Sequence, residues 1–232
     1  KFDNGRYSTD ASIYQIMPEA VILPKNIEDI KKTIQFSQEH NIPILPRGGG
    51  TSQNGQTVNR AIVLDNSKYL NKIIEVDAIN QTCLVEPGVV LDELNRFLKP
   101  YGLWFPVDVS TSSRATIGGM AGNNSAGGRS IRYGIMRDNV MSIDALLSDA
   151  SEAHFGLSKD DISGLKSLFP KLMAIAEKNK NEIKTRFPKV LRRVGGYNLD
   201  ALLNDTLASR PGSIGTERDV NLSHLIVGSE GT

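Results

Sequence analysis

The fold is decided by two glycine-rich segments, Pro46-Arg47-Gly48-Gly49-Gly50-Thr51-Ser52 and Ala115-Thr116-Ile117-Gly118-Gly119-Met120-Ala121-Gly122-Asn123-Asn124-Ser125-Ala126-Gly127-Gly128. We call residues 46–52 the first glycine segment and residues 115–128 the second. Glycine has no Cβ, so its backbone can approach a ligand closely and adopt positive φ. Successive N–H groups in such a turn form a concave site for an anion. Because both segments also carry Thr, Ser or Asn, they predict a long ligand with a diphosphate in its middle.

Small hydroxyl donors surround both segments. Thr51 and Ser52 follow the three glycines, and Ser110 and Thr111 precede the second segment. The first segment does not end in Gly-Lys-Thr/Ser, and it does not open a long helix with Gly-x-Gly-x-x-Gly. These departures disfavour a Walker A loop and a nicotinamide site. Two alternatives stay open: a plain glycine turn at the first segment, and tight helix–strand packing at the second.

Composition narrows the function classes. The chain has 232 residues and a net charge of +1, so no overall field favours nucleic acid. No run approaches the ~18 consecutive apolar residues of a membrane span. A single cysteine, Cys83, excludes an internal disulfide and a cysteine-based cluster. The histidines, His40, His154 and His224, lack the spacing of metal ligands, so no metal site is predicted.

Hydrophobic periodicity predicts an α+β fold. Strand, helix and strand alternate through residues 20–65, with Asn26 as the helix cap, which indicates a small α/β lobe with parallel strands. Residues 72–76 and 81–86 form an antiparallel pair, and a helix follows over 91–98. Further elements are expected in a larger lobe: a short helix opened by the second glycine segment, a strand over 142–147, a helix from Pro170 and a strand over 225–227. The expected lobes are residues 1–70 and 71–232, the larger having an antiparallel sheet flanked by helices.

Several motifs occur in an order that resembles a known family. They are residues 46–52, Val85-Glu86-Pro87-Gly88-Val89, residues 115–119 with Asn123-Asn124, Arg132-Tyr133-Gly134, and residues 227–232. Together they resemble the FAD-binding domain of the vanillyl-alcohol oxidase/p-cresol methylhydroxylase superfamily. Within it the resemblance is closest to FAD-linked dehydrogenases of D-2-hydroxy acids, such as D-lactate, glycolate and D-2-hydroxyglutarate. Residues 191–199 also resemble a segment of the larger enzymes of that group, which join this domain to an iron–sulfur half.

The resemblance implies one FAD-binding domain over residues 1–232 and a set of cofactor-binding residues. In the family, the first segment holds the diphosphate, the second lines the diphosphate, ribityl chain and flavin ring, Pro87-Gly88 borders the adenosine, and residues 226–232 close over the cofactor. The implied residues are Pro46, Arg47, Gly48, Gly49, Gly50, Thr51, Ser52, Pro87, Gly88, Ser110, Thr111, Ala115, Thr116, Gly118, Gly119, Asn123, Asn124, Ala126, Ile226, Glu230 and Gly231. Some relatives attach the flavin through a histidine where this chain has Thr51, so non-covalent FAD is implied.

The resemblance also implies an activity: oxidation of a D-2-hydroxy acid similar to D-lactate, with hydride transfer to FAD. The family's substrate cap lies C-terminal to this domain, so residues 1–232 are expected to be an inactive fragment with no catalytic residue. Arg193 and Tyr197 are candidates for the substrate side of the flavin. The electron acceptor is an iron–sulfur half or a quinone, and the location is cytoplasmic, with peripheral membrane attachment of the full-length enzyme left open. Two alternatives remain: a flavoenzyme of the aldonolactone or alkyl-glycerone-phosphate type, and a nucleotide-binding module without redox function.

Overall fold

A computed structural model describes residues 2–158, 162–190, 192–203 and 220–232. The chain divides into two compact units. One is Lys1–Phe105 with Val109–Met120, and the other is Pro106–Asp108 with Ala121–Thr232. The lobe division at residues 70 and 71 stays a prediction about domain organisation. The predicted α+β fold class is confirmed by the mixture of helices and small sheets.

The first unit opens with a parallel sheet. Its elements are α1 (Phe2–Arg6), β1 (Ala20–Ile22), α2 (Ile27–His40), β2 (Ile44–Arg47) and β3 (Ile62–Asp65). The strand order is β1-β3-β2 and both pairings are parallel, as the alternation of strand and helix predicts. All four residues of β3 are buried because it is the central strand. The end of β2 delivers the chain directly into the first glycine segment.

The predicted cap of α2 is confirmed. Asn26 has extended backbone, and its side-chain oxygen accepts a hydrogen bond from the Asp29 N–H at 3.0 Å. Glu28 and Asp29 lie in the first turn, where acidic groups interact favourably with the helix dipole. The helix ends at Asn41, which adopts the left-handed conformation with φ 55°. These signals fix where the chain turns back toward β2.

An antiparallel hairpin and a helix complete the first unit. The strands are β4 (Ile73–Asp77) and β5 (Thr82–Val85), and the helix is α3 (Leu91–Leu98). Leu94 and Leu98 of α3 pack with Val89 against a cluster that includes Cys83. Burial raises the pKa of the Cys83 thiol, in keeping with its packing as a small apolar side chain. The hairpin and the helix were both predicted.

A short helix, α4 (Ile117–Asn123), begins within the second glycine segment as predicted. The elements of the second unit are α5 (Ser130–Tyr133), β6 (Ile143–Leu146), β7 (Glu152–Phe155), α6 (Phe169–Lys178), α7 (Lys180–Arg186) and α8 (Ser223–Ile226). Pro170 lies in the first turn of α6, as predicted. Strands β6 and β7 pair antiparallel, and Phe155 of β7 packs in a core with Leu165 and Leu222. Sequence reasoning missed β7, since its four residues are too few for a clear alternation.

The strand predicted over residues 225–227 is wrong. Ser223–Ile226 forms a single helical turn, α8, and the Val227 N–H donates to the Ser223 carbonyl at 3.0 Å. The cause is the side chain of Asn221, whose oxygen accepts hydrogen bonds from both the N–H and the hydroxyl of Ser223. This side-chain cap starts a helical turn that the apolar residues alone do not indicate.

Candidate functional site

The first glycine segment presents a row of backbone donors without protein acceptors. Among the described residues, no hydrogen bond uses the N–H of Gly48, Gly49, Gly50 or Thr51 as its donor. Three of these four residues are half-buried, and Gly50 has φ +64°. Partly buried amides are normally paired, so four adjacent unpaired ones indicate a site that receives acceptors from a ligand. Such a run fits the oxygens of a diphosphate.

The start of the second segment lies against these glycines. A Cβ on Gly48 would overlap the Thr116 hydroxyl oxygen, and a Cβ on Gly49 would overlap the Arg114 carbonyl oxygen. Thr116 is itself buried, with 2% of its surface exposed. The structure therefore brings Gly48, Gly49 and Thr116 together, as the sequence predicts for two segments that act jointly. It also shows that the missing Cβ atoms at positions 48 and 49 serve contact between the segments.

The amides at the start of α4 are paired within the protein. The Ile117 N–H donates to the Val89 carbonyl at 2.8 Å, and the Gly118 N–H donates to the Pro87 carbonyl at 2.9 Å. The Gly119 N–H donates to the Thr116 hydroxyl at 3.3 Å. Their predicted assignment to the cofactor stays a prediction, but these N–H groups already have acceptors. What this part of the chain offers to a ligand is therefore its hydroxyl groups.

Close packing explains the glycines at Gly118 and Gly88. A Cβ on Gly118 would lie 2.5 Å from the Cβ of Pro87, and a Cβ on Gly88 would overlap the Asn66 carbonyl oxygen. The Gly88 N–H donates to the Leu70 carbonyl at 2.7 Å. The turn at Pro87-Gly88 is thus wedged between the chain after β3 and the start of α4. Tight packing, one of the alternatives that the sequence left open, is what the structure shows at these two positions.

The remaining predicted residues of the first unit differ in accessibility. Ser110 is exposed, whereas Thr51, Ser52 and Thr111 are half-buried and Ala115 is buried. Pro46 pairs within the sheet opposite Leu64. The guanidinium of Arg47 donates to the backbone carbonyls of residues 7, 9 and 57. Its side chain is thus engaged by protein atoms, a role that the sequence did not indicate.

In the second unit the structure brings Asn123 and Glu230 together. The Asn123 side-chain amide donates to the Glu230 carboxylate at 2.7 Å, and the Glu230 N–H donates to the Gly122 carbonyl at 2.9 Å. Ala126 and Ile226 are half-buried, the latter in α8, and Gly231 is exposed with φ +78°. The pairing of residues so distant in sequence agrees with the expectation that the last residues lie beside the second segment.

Asn124 is committed to the protein interior. It is fully buried, with φ 53°. Its side-chain oxygen accepts from the Arg137 N–H at 2.9 Å, and its side-chain N–H₂ donates to the Arg193 carbonyl at 3.3 Å. Both ends of the amide are therefore used to join two distant stretches of backbone. A direct contact between this side chain and a cofactor stays a prediction.

Arg193 belongs to a buried polar network that the sequence did not reveal. Its guanidinium donates to Asp200 at 2.5 Å and to the Asn198 side-chain oxygen at 3.1 Å. The buried Arg137 donates to the same oxygen of Asn198 at 2.9 Å. Tyr197 is half-exposed, and Leu191 of the quoted motif lies outside the described residues. The presence of two arginines with one aspartate near the Gly-Tyr-Asn sequence was the signal that could have found this network.

Within the described ranges, no group of three or more His, Cys, Asp or Glu side chains is placed to hold a metal ion. The helices described there are all too short or too polar to cross a lipid bilayer. His154 instead pairs with Asp144 at 2.6 Å across β6 and β7. The chemistry of the described residues thus centres on the row of free amides.

Comparison with known proteins agrees with this geometry. A family model described as FAD binding domain matches residues 18–156, more than half of the chain. The D-2-hydroxyglutarate dehydrogenase of Escherichia coli (strain K12) is 34% identical over 242 residues, covering 99% of this chain and 23% of that enzyme. The glycolate oxidase subunit GlcD of Bacillus subtilis (strain 168) is 39% identical over 159 residues, covering 66% of this chain and 34% of that subunit.

The fold has counterparts among solved structures. A variant of Physcomitrella patens BBE-like 1 superposes with a TM-score of 0.59 at 19% identity, covering 66% of this chain and 34% of that chain. At this identity the likeness concerns the fold alone. The resemblance inferred from the ordered motifs is confirmed by the family match and by the hydroxy-acid dehydrogenases above. The chain therefore belongs to the FAD binding domain family, which confirms FAD as the cofactor that its motifs predict.

Proposed function

We propose that this chain is the FAD-binding part of a flavin-dependent dehydrogenase that oxidises a D-2-hydroxy acid. The observation that carries the proposal is the run of unpaired amides at Gly48, Gly49, Gly50 and Thr51. A diphosphate supplies several anionic oxygens within a short distance, which matches four adjacent N–H donors. An isolated glycine turn without a ligand would leave these partly buried groups unsatisfied.

The residues of the first unit would hold the cofactor in distinct ways. The four amides and the Thr51 hydroxyl donate to the diphosphate, since hydrogen bonds to an ionised acceptor are strong. Ser110 and Thr111 add hydroxyl donors near the start of the second segment. Threonine has no imidazole at the position where some relatives carry the attachment histidine, so FAD is bound non-covalently.

When bound, the flavin supplies the acceptor for the hydride from the α-carbon of the hydroxy acid. The contribution of this chain is to bind the cofactor and to fix its orientation. In the second unit, Asn123 and Glu230 form a fixed polar pair, which we place beside the flavin on the basis of the family resemblance. No residue of this chain is assigned to the proton that leaves the substrate hydroxyl.

The chain spans 23% of the length of the E. coli D-2-hydroxyglutarate dehydrogenase and 34% of GlcD. The names of these relatives support D-2-hydroxy acids as the substrate class, with D-2-hydroxyglutarate, glycolate and D-lactate as the members to test. Turnover and electron transfer to an iron–sulfur half or a quinone belong to the whole protein. We place that protein in the cytoplasm, and we expect this chain alone to bind FAD without oxidising substrate.

The proposal is tested first by the colour and stoichiometry of the purified chain. Flavin absorbance bands, with release of the flavin into the supernatant after denaturation, are the expected result for non-covalent FAD. A colourless protein that binds ADP as tightly as FAD would instead support a nucleotide-binding module. Dye reduction by the full-length protein then compares D-2-hydroxyglutarate, D-lactate and glycolate. Failure of all three to reduce the dye would refute the hydroxy-acid assignment while leaving FAD binding intact.

A further inference from the structure

The most heavily engaged cation of the first unit is Arg47, which ends β2 and precedes the glycines. One of its terminal nitrogens, Nη1, donates to the carbonyls of Tyr7 at 3.3 Å and Thr57 at 3.1 Å. The other, Nη2, donates to the carbonyl of Thr9 at 2.8 Å. The guanidinium carbon also lies 5.4 Å from the centre of the Tyr7 ring. Three of the five N–H donors of this side chain are therefore used by backbone carbonyls.

Further bonds hold residues 7–12, which we call the N-terminal strap, on the first glycine segment. The Ala11 N–H donates to the Gly50 carbonyl at 3.1 Å. The Thr57 hydroxyl donates to the Asp10 carboxylate at 2.7 Å, and the other oxygen of Asp10 accepts from the Ser12 N–H. The strap is thus joined to both ends of the loop that carries the free amides.

The guanidinium also decides the backbone of Gly50. A Cβ on Gly50 would lie 2.6 Å from Arg47 Nη2, and the residue has φ +64°. The side chain of Arg47 therefore packs against the peptide that carries one of the four free amides. Removal of the guanidinium would leave three strap and loop carbonyls without their donor and would open space behind Gly50.

We propose that Arg47 is a positioning residue, and that it acts on the cofactor through the N-terminal strap rather than by contact with the diphosphate. By fixing residues 7–12 on the loop, it holds the amides of residues 48–51 in one conformation before FAD arrives. A loop that is already ordered loses less conformational freedom on binding, so affinity rises. The planar fork of arginine suits three carbonyls at once, whereas the single ammonium of lysine does not. This inference rests on the proposed FAD site.

The two roles differ in their response to Arg47→Lys. A diphosphate ligand needs positive charge, so lysine would restore most of the affinity. A fork that joins three carbonyls needs the guanidinium, so Arg47→Lys should weaken FAD binding about as much as Arg47→Ala, each by about 10-fold. The matched control is Arg60→Ala, because Arg60 is an exposed arginine of the same unit. It should bind FAD as the unaltered chain does.

The experiment measures the FAD dissociation constant by flavin fluorescence at several ionic strengths. The variants are Arg47→Ala, Arg47→Lys, a chain lacking residues 1–12, and that shortened chain with Arg47→Ala. We expect the first three to lose affinity to a similar extent, the fourth to lose no more than the shortened chain, and the salt dependence to stay unchanged. Rescue by lysine, multiplied losses in the fourth variant, or a weaker salt dependence in Arg47→Ala would each overturn the inference.

Two further readouts keep the test decisive. Asp10→Asn loosens the strap while Arg47 stays in place, so it should weaken binding by a smaller factor even if the Arg47 variants fold poorly. Amide hydrogen exchange at Ala11 and Gly50 should quicken in Arg47→Ala without any cofactor present, and unchanged exchange would contradict the strap. If the unaltered chain binds no FAD, the proposed function fails, whereas the hydrogen-exchange result still judges the contact between strap and loop.

Discussion

The two glycine segments of the first unit look alike in sequence and differ in what their amides do. In the first, the N–H groups of residues 48–51 have no acceptor among the described residues. In the second, Ile117 and Gly118 donate to the carbonyls of Val89 and Pro87. Both segments need glycine because another part of the chain lies where a Cβ would be. A row of glycines therefore marks close backbone approach, and only the hydrogen-bond partners show which segment can grip an anion.

This difference separates two functions of the first segment. The space left by the missing Cβ atoms of Gly48 and Gly49 is filled by Thr116 and Arg114. The free amides remain for the cofactor. Substitutions that add a side chain should therefore act through the second segment, whereas substitutions that remove a donor should act on the cofactor alone.

The largest expected effect is that of Gly49→Val. Its Cβ would overlap the Arg114 carbonyl oxygen, so the two segments must separate. We expect complete loss of FAD retention together with a loss of about 1–3 kcal/mol in the free energy of unfolding. Flavin absorbance and denaturant unfolding measure the two effects. The control is Gly5→Ala, where a Cβ meets nothing within 4 Å. Full flavin content in Gly49→Val would contradict the contact between the segments.

A matched pair in α4 tests the packing of the second segment. In Gly118→Ala the new Cβ would lie 2.5 Å from the Cβ of Pro87, whereas in Gly119→Ala it would meet only the Thr116 hydroxyl at 3.0 Å. We expect Gly118→Ala to lose about 1–3 kcal/mol of stability from overpacking. Gly119→Ala should change stability by less, because the clash is milder and alanine favours the helix by about 0.5–1 kcal/mol. Equal midpoints of denaturant unfolding for the two variants would show that Pro87 does not restrict α4.

Thr51→Val removes one donor from the first segment at nearly constant shape. We expect FAD affinity to fall about 10-fold, since a hydrogen bond to a charged group contributes roughly 1.5–3 kcal/mol. The stability of the chain without cofactor should be unchanged. Calorimetric titration with FAD and thermal unfolding without it separate the two quantities. A large loss of stability would mean that the hydroxyl supports the fold instead.

The smallest effect concerns Tyr7 of the N-terminal strap. Burial, reinforced by the hydrogen bond from its hydroxyl to Asp65 at 2.7 Å, raises the pKa of Tyr7 to about 12. Because the folded pKa lies above the ordinary value of 10.0, this contact contributes fully below pH 10 and is lost as the pH rises toward 12. Absorbance titration of the tyrosines should show one late phenolate that is missing in Tyr7→Phe. Identical titrations of the two proteins would remove Tyr7 from the contact with Asp65.

The sequence predicts those features that depend on neighbours along the chain. The cap at Asn26, the parallel strands around β3 and the hairpin of β4 and β5 follow from local signals and from hydrophobic period. The helical turn α8 was missed, because it depends on the side chain of Asn221 and not on the apolar residues that follow. Long-range contacts were also beyond reach. Nothing local shows that Arg47 holds the carbonyl of Tyr7, or that Pro87 accepts the Gly118 amide.

The central claim is that the backbone amides of the first glycine segment bind the pyrophosphate of FAD. Nuclear magnetic resonance of the ¹⁵N-labelled chain during titration with FAD tests it residue by residue. The amide signals of Gly48, Gly49, Gly50 and Thr51 should shift downfield and exchange more slowly, because each gains an anionic acceptor. Those of Ile117 and Gly118 should keep their strong protection. Unchanged signals at residues 48–51 in a chain saturated with FAD would contradict the account.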